Sequence, residues 1–142
     1  MAFAERLGAT TTLNPRRDDI PESVRDLTEG RGADIAFEAV GITATVKTAV
    51  ENVRKGGTVT LIGNLAPSVE LPLQLVVTHQ LRLQGSCGIR GEYPAALGMI
   101  EKGIINVDIL ISATAPLADG AEWFHRLHTP GNNLMKVILD PT

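Results

Sequence analysis

Gly32-Ala33-Asp34-Ile35-Ala36-Phe37-Glu38-Ala39-Val40-Gly41 is followed by apolar positions Val46, Ala49, Val50 and Val53, then by Arg54-Lys55-Gly56-Gly57 and Thr58-Val59-Thr60-Leu61-Ile62-Gly63. The first run is nearly continuously apolar from 33 to 40, interrupted by Asp34 and Glu38, as expected of a strand covered on both faces. The second has the 3–4 spacing of a helix, with Thr43 or Thr45 placed to cap it and Gly56-Gly57 placed to stop it. The third, residues 58–62, reads as another buried strand. A strand, a helix and a strand in that order predict a parallel pair with a right-handed crossover, and hence an α/β fold.

Working outward, Met1, Phe3, Ala4 and Leu7 fall at helical spacing, with Gly8 as the stop and Ala9–Leu13 as a short β-branched strand. Asn14-Pro15 breaks that run. Asp18 or Asp19 caps the next helix, Pro21 suits its first turn, and Ile20, Val24 and Leu27 form its apolar stripe. On the far side, a loop with Pro67 and Pro72 leads to a short apolar segment and a strand over Leu81–Ser86. Beyond Gly91 the pattern changes to a helix opened by Tyr93-Pro94, an extended piece at Ile109–Ile111, a helix capped by Asp119, and a closing strand Lys136–Leu139. Glycine density near 88–91 marks the one candidate boundary, dividing residues 1–90 from 91–142.

Composition excludes several functions. A formal net charge of -3 supplies no basic field for a nucleic-acid backbone. No apolar run reaches membrane-spanning length, and the first residues lack the apolar core of a secretion signal. Cys87 is the sole cysteine, so no intrachain disulfide and no thiolate cluster can form, and a reduced cytoplasmic protein is expected.

The segments Arg6-Leu7-Gly8-Ala9-Thr10 to Asn14-Pro15, Gly30-Arg31-Gly32-Ala33-Asp34, Phe37-Glu38-Ala39-Val40-Gly41, Arg54-Lys55-Gly56-Gly57, Leu61-Ile62-Gly63, Gly85-Ser86 and Lys136-Val137-Ile138-Leu139 together resemble the medium-chain, zinc-type alcohol and polyol dehydrogenases. The resemblance covers nearly the whole chain but only the C-terminal part of a family member. It implies a doubly wound Rossmann-like sheet of order 3-2-1-4-5-6 that binds NAD(H) or NADP(H) at its C-terminal edge. Aligned this way, the chain is an incomplete Rossmann-like domain without the first two strands, the glycine-rich phosphate loop and the N-terminal zinc ligands. A C-terminal segment follows that packs in the family on the catalytic domain.

The resemblance places Val40 and Gly41 beside the adenosine end of the cofactor and the backbone of Ile62 and Gly63 along the nicotinamide. Ser86, Cys87 and Gly88 would line the carboxamide side, and Lys136 would reach the pyrophosphate. No catalytic residue and no metal ligand is expected in this chain. In the intact enzyme zinc would polarise a small alcohol or polyol while hydride passes to NAD or NADP; this chain alone is expected to be inactive. Two other readings stand beside that one: a non-catalytic dimerisation or assembly module, and part of a zinc-free quinone oxidoreductase.

Each candidate also has a plain structural account. The glycines at 41 and 63 turn the chain at strand ends, and a lone Cys87 is ordinarily a small packing residue. His125 and His128 share a helix face but have no third ligand beside them. His79 reads as a loop or surface histidine. Asp34 and Glu38 lack the apolar pocket that would raise one pKa for acid–base work, and Arg16-Arg17-Asp18-Asp19 reads as helix entry. Without the strands and helix that the resemblance places before this chain, one sheet edge and one sheet face are expected to be bare and Met99, Ile100, Phe124 and Ile138 to lose a packing surface. The sheet could close up under the C-terminal helices, pair with another chain or need other polypeptide. Because the family dimerises through the last sheet strand, here Leu81–Ser86, a homo-oligomer is expected.

Overall fold

The computed structural model describes residues 2–141; Met1, counted above on the first helix, lies outside them. The elements in chain order are α1 (Ala2–Arg6), α2 (Ile20–Leu27), β1 (Ala33–Glu38), α3 (Thr43–Asn52), β2 (Val53–Leu61), α4 (Leu73–Thr78) and β3 (Arg82–Gly85). They continue with α5 (Tyr93–Glu101), a 3-10 turn, β4 (Ile111–Pro116), a second 3-10 turn, α6 (Gly120–His128) and β5 (Lys136–Asp140). Residues 13–90 form one compact unit; those up to Thr12 together with those from Gly91 onward form another.

In the 13–90 unit the sheet order is β1-β2-β3, all parallel, with Ala36 opposite Val59 and Val59 opposite Leu83. These three residues share one face. Against it α3 sets Val46 and Val50, which with Val53 and Val59 make a fully buried core; Ala36, Ala49, Leu75, Val76 and Leu83 pack around it. The opposite face carries Ile35 and Phe37, aligned with Thr58 and Thr60, and the two large side chains are 56% and 70% exposed. Among the described residues no strand pairs with the outer edge of β1. The α2 helix begins as its sequence predicts, with the Asp19 carboxylate accepting from the Glu22 N–H at 2.9 Å and Pro21 in its first turn.

Several local expectations change. Residues 9–13 form no strand; the β-branched run has no partner strand beside it, and strand propensity without a ladder is weak. Gly56-Gly57 does not stop α3, which gives way directly to β2 after Asn52. Between Ala33↔Val53 and Ile35↔Thr58, two steps on β1 oppose five on β2. The extra residues are accommodated by Gly56 at φ +71°, whose N–H donates to the His79 carbonyl at 2.8 Å. The α3 cap is Ile42, whose apolar side chain makes no capping bond; Thr43 and Thr45 fall inside the helix, where Thr43 accepts from the Glu70 N–H and Thr45 donates to Glu38. Leu27 faces solvent rather than completing the α2 stripe.

In the other unit β4 and β5 form a parallel two-stranded sheet in which Thr114 faces Ile138, with Ala115 buried. Ile109 and Leu110 lie in a 3-10 turn, and the extended segment runs instead from Ile111 to Pro116. Met99, Ile100, Phe124 and Ile138 are all exposed.

Candidate functional site

Parallel strands end together, so their C-terminal ends, with the turns that follow, form one rim of the sheet. At that rim Glu38, the last residue of β1, is 3% exposed. A buried carboxylate is costly unless donors surround it. Here the Val40 N–H donates at 2.9 Å, the Gly41 N–H at 2.8 and 3.1 Å to the two oxygens, and the Thr45 hydroxyl at 2.6 Å from the first turn of α3. Burial pushes the Glu38 carboxyl up, but the bonds from Thr45, Gly41 and Val40 outweigh it and hold its pKa below the usual value. The Glu38 carbonyl also accepts from the N–H groups of Ile62 at 2.8 Å and Gly63 at 3.0 Å, in the turn after β2.

The two turns meet at glycines. Gly41 adopts φ +82°, and a Cβ there would collide with the Gly63 and Asn64 backbone; a Cβ on Gly63 would collide with Val40 and Gly41. The Gly41 carbonyl also accepts from the Ala66 N–H at 2.9 Å. The β3 end joins the same rim through the Ser86 N–H, which donates to the Leu61 carbonyl at 2.9 Å.

Of the residues singled out in the sequence, Ile62, Gly63, Ser86, Cys87 and Gly88 line one cleft of about 300 Å³ at the ends of β2 and β3, floored by Leu61 and Gly85. Gly41 abuts it through Gly63. The Val40 side chain lines a separate, larger and mostly apolar depression between β1, α2 and α3. Lys136 opens β5 in the other unit and is exposed there. The Cys87 thiol is free and exposed. Sequence reasoning missed Glu38 and Thr45 as a linked pair. The available signal was a glutamate at a strand end three residues before a glycine, with a hydroxyl seven residues on.

The acidic candidates Asp34, Asp18 and Asp19 have structural partners, whereas the partly buried His79 keeps its Nδ1 without one. Asp34 is exposed and paired with Arg54 and, at 3.5 Å, with Arg31; the bond from Arg54 is the main reason its pKa lies below the usual range. Asp18 accepts from the Asn14 N–H and Asp19 caps α2, so the Arg16–Asp19 run serves helix entry. Among the described residues no group of three or more His, Cys, Asp and Glu converges to hold a metal ion. No helix among them is long and apolar enough to cross a membrane.

Comparison with known proteins places this geometry in context. Residues 1–102 match the profile of the zinc-binding dehydrogenases. Sorbitol dehydrogenase of Bacillus subtilis is 27% identical over 140 residues, covering 97% of this chain and 39% of that protein. A protein of Sinorhizobium meliloti assigned as a zinc-binding dehydrogenase, solved with NADP bound, superposes with a TM-score of 0.86 at 26% identity, over 99% of this chain and 42% of its own. Alcohol dehydrogenase TADH of Thermus sp. ATN1 superposes with a TM-score of 0.83 at 30% identity, over 98% and 40% respectively. The chain thus spans about 40% of the length of the relatives it matches.

Proposed function

The chain belongs to the zinc-binding dehydrogenase family, and from that premise we propose that it supplies the nicotinamide side of the cofactor domain in an NAD(P)-dependent alcohol or polyol dehydrogenase. The observation that carries this reading is the cleft of Ile62, Gly63, Ser86, Cys87 and Gly88 at the ends of two parallel strands. A bound nicotinamide supplies the hydride acceptor or donor. The chain's own part is to present the Ile62–Gly63 backbone to the ring, to exclude water with Leu61 and Ile62, and to offer the Ser86 hydroxyl to an amide.

The residues present fit the ring and do not fit the phosphates. The Val40, Gly41, Ile62 and Gly63 N–H groups at the rim are all consumed by Glu38, so they cannot form the backbone cradle that anions require. Nor do the described residues offer a ligand set for zinc. Unaided turnover is therefore not expected. Titrating the isotopically labelled chain with NADH is expected to shift the amides of residues 62–63 and 86–88 selectively, with calorimetric affinity weaker than micromolar. Shifts confined to other segments would sink the reading, and micromolar affinity would sink its claim about phosphates.

A second reading, a non-catalytic assembly module, draws support from the exposed Ile35 and Phe37 face. It predicts an oligomer by light scattering at micromolar concentration together with no NADH-induced shifts; a compact monomer would remove it.

A further inference from the structure

Glu38 enters the cofactor reading only as the group that occupies the rim N–H donors, although it is the one buried charged residue among those described. Its bonds are unusually distributed. The carboxylate takes both N–H groups of the turn after β1 and a hydroxyl from α3, while the main-chain carbonyl of the same residue takes both N–H groups of the turn after β2. We propose that Glu38 is a positioning residue that clamps the β1 and β2 strand-end turns into one rigid rim of the ligand cleft, with Thr45 as its anchor on α3.

Charge-assisted bonds from backbone N–H groups are about twice as strong as neutral ones, and inside a protein they reinforce one another. The side chain therefore fixes the position of the Gly41 peptide, against which Gly63 packs without room for a Cβ. The Ala66 N–H to Gly41 carbonyl bond is a second tie between the turns, but it lies beyond the glycine contact. The other charged groups of β1 and of the elements packed on it are otherwise placed: Arg54 on β2 pairs with Asp34, Lys47 on α3 pairs with Glu70, and Lys55 and Glu51 lie on exposed positions. Donors, not a counter-ion, hold this carboxylate. A rim fixed in this way is already shaped before a ligand arrives, so little ordering is needed on binding.

The clamp's bearing on a cofactor rests on the reading proposed above, so the test separates the two. Amide hydrogen exchange is followed in the full chain without any ligand, comparing wild type with Glu38→Gln, whose amide can accept at one end only. Gly41 and Gly63 are expected to exchange at least tenfold faster together, while Val59 and Thr60 in the ladder stay within twofold. Should Glu38→Gln fail to fold, Thr45→Val removes one donor with the carboxylate kept; it is expected to loosen Gly41 and Gly63 jointly, and Thr45→Ser is expected to restore both. Faster exchange at Gly41 with Gly63 unchanged, or equal acceleration throughout the sheet, would overturn the clamp. NADH-induced shifts in wild type are scored independently: their absence alongside coupled loosening would leave the clamp standing and remove the cofactor reading.

Discussion

A single methyl group tests the packing of the rim. At Gly63 it would enter the Val40–Gly41 backbone, whereas at Gly85, one strand over, it would meet nothing within 4 Å. Overpacking against backbone costs about 1–3 kcal/mol, so Gly63→Ala is expected to lower the unfolding free energy measured in urea by that amount while Gly85→Ala leaves it unchanged or slightly raised. Glu38 makes a second residue-level prediction through pH. Its folded pKa lies below its ordinary value, so the ionised form contributes stability that is complete above about pH 4.3 and is lost as pH falls through the depressed folded value. Urea midpoints measured from pH 7 down to pH 3 are expected to drop further in wild type than in Glu38→Gln. Asp34 is shifted in the same direction but stands exposed among its arginines, where water screens the pairs and little stability depends on them.

At the scale of elements, the core is carried by α3 against β2. Val50 is fully buried and Val59 lies beneath the same helix. Truncation there leaves a cavity as well as losing apolar burial, so Val50→Ala is expected to cost about 2 kcal/mol in denaturant unfolding, and Leu27→Ala, on the solvent side of α2, less than about 0.5 kcal/mol. The same elements show what could be read from residues alone. The strand–helix–strand order, an aspartate cap at 18 or 19 and the strand-end glycines are legible because each rests on local chemistry: periodicity, a carboxylate before a helix, a turn needing positive φ. The strand expected at 9–13 was not, since a β-branched run becomes a strand only beside another strand. Gly56 was read as a helix stop because both a stop and a bulge demand left-handed backbone; only the β1 register distinguishes them. Likewise the cleft residues are legible by their strand-end positions, whereas Glu38 reads from sequence only as an acid–base candidate without an apolar pocket, because the convergence of backbone N–H groups and the Thr45 hydroxyl on one carboxylate shows only in the fold.

For the molecule as a whole, the unresolved balance is between the covered and bare faces of the β1-β2-β3 sheet. One face has α3 and α4 on it; the other shows Phe37 and Ile35 beside Thr58 and Thr60, with the outer edge of β1 unpaired among the described residues. An exposed apolar strand at a sheet edge is a template for association, which is the physical ground for expecting an oligomer. Because Phe37 is 70% exposed, it contributes little to the fold of a single chain. Phe37→Thr would continue the threonine pattern set by Thr58 and Thr60 on the same face, with a β-branched residue suited to a strand. Its expected signature is therefore split: the unfolding free energy of the dilute chain changes by less than about 0.5 kcal/mol, while the mass seen by light scattering at micromolar concentration falls toward the monomer. If the substitution instead destabilised the dilute chain with its mass unchanged, Phe37 would be packing within its own fold, and the bare face could not be what drives association.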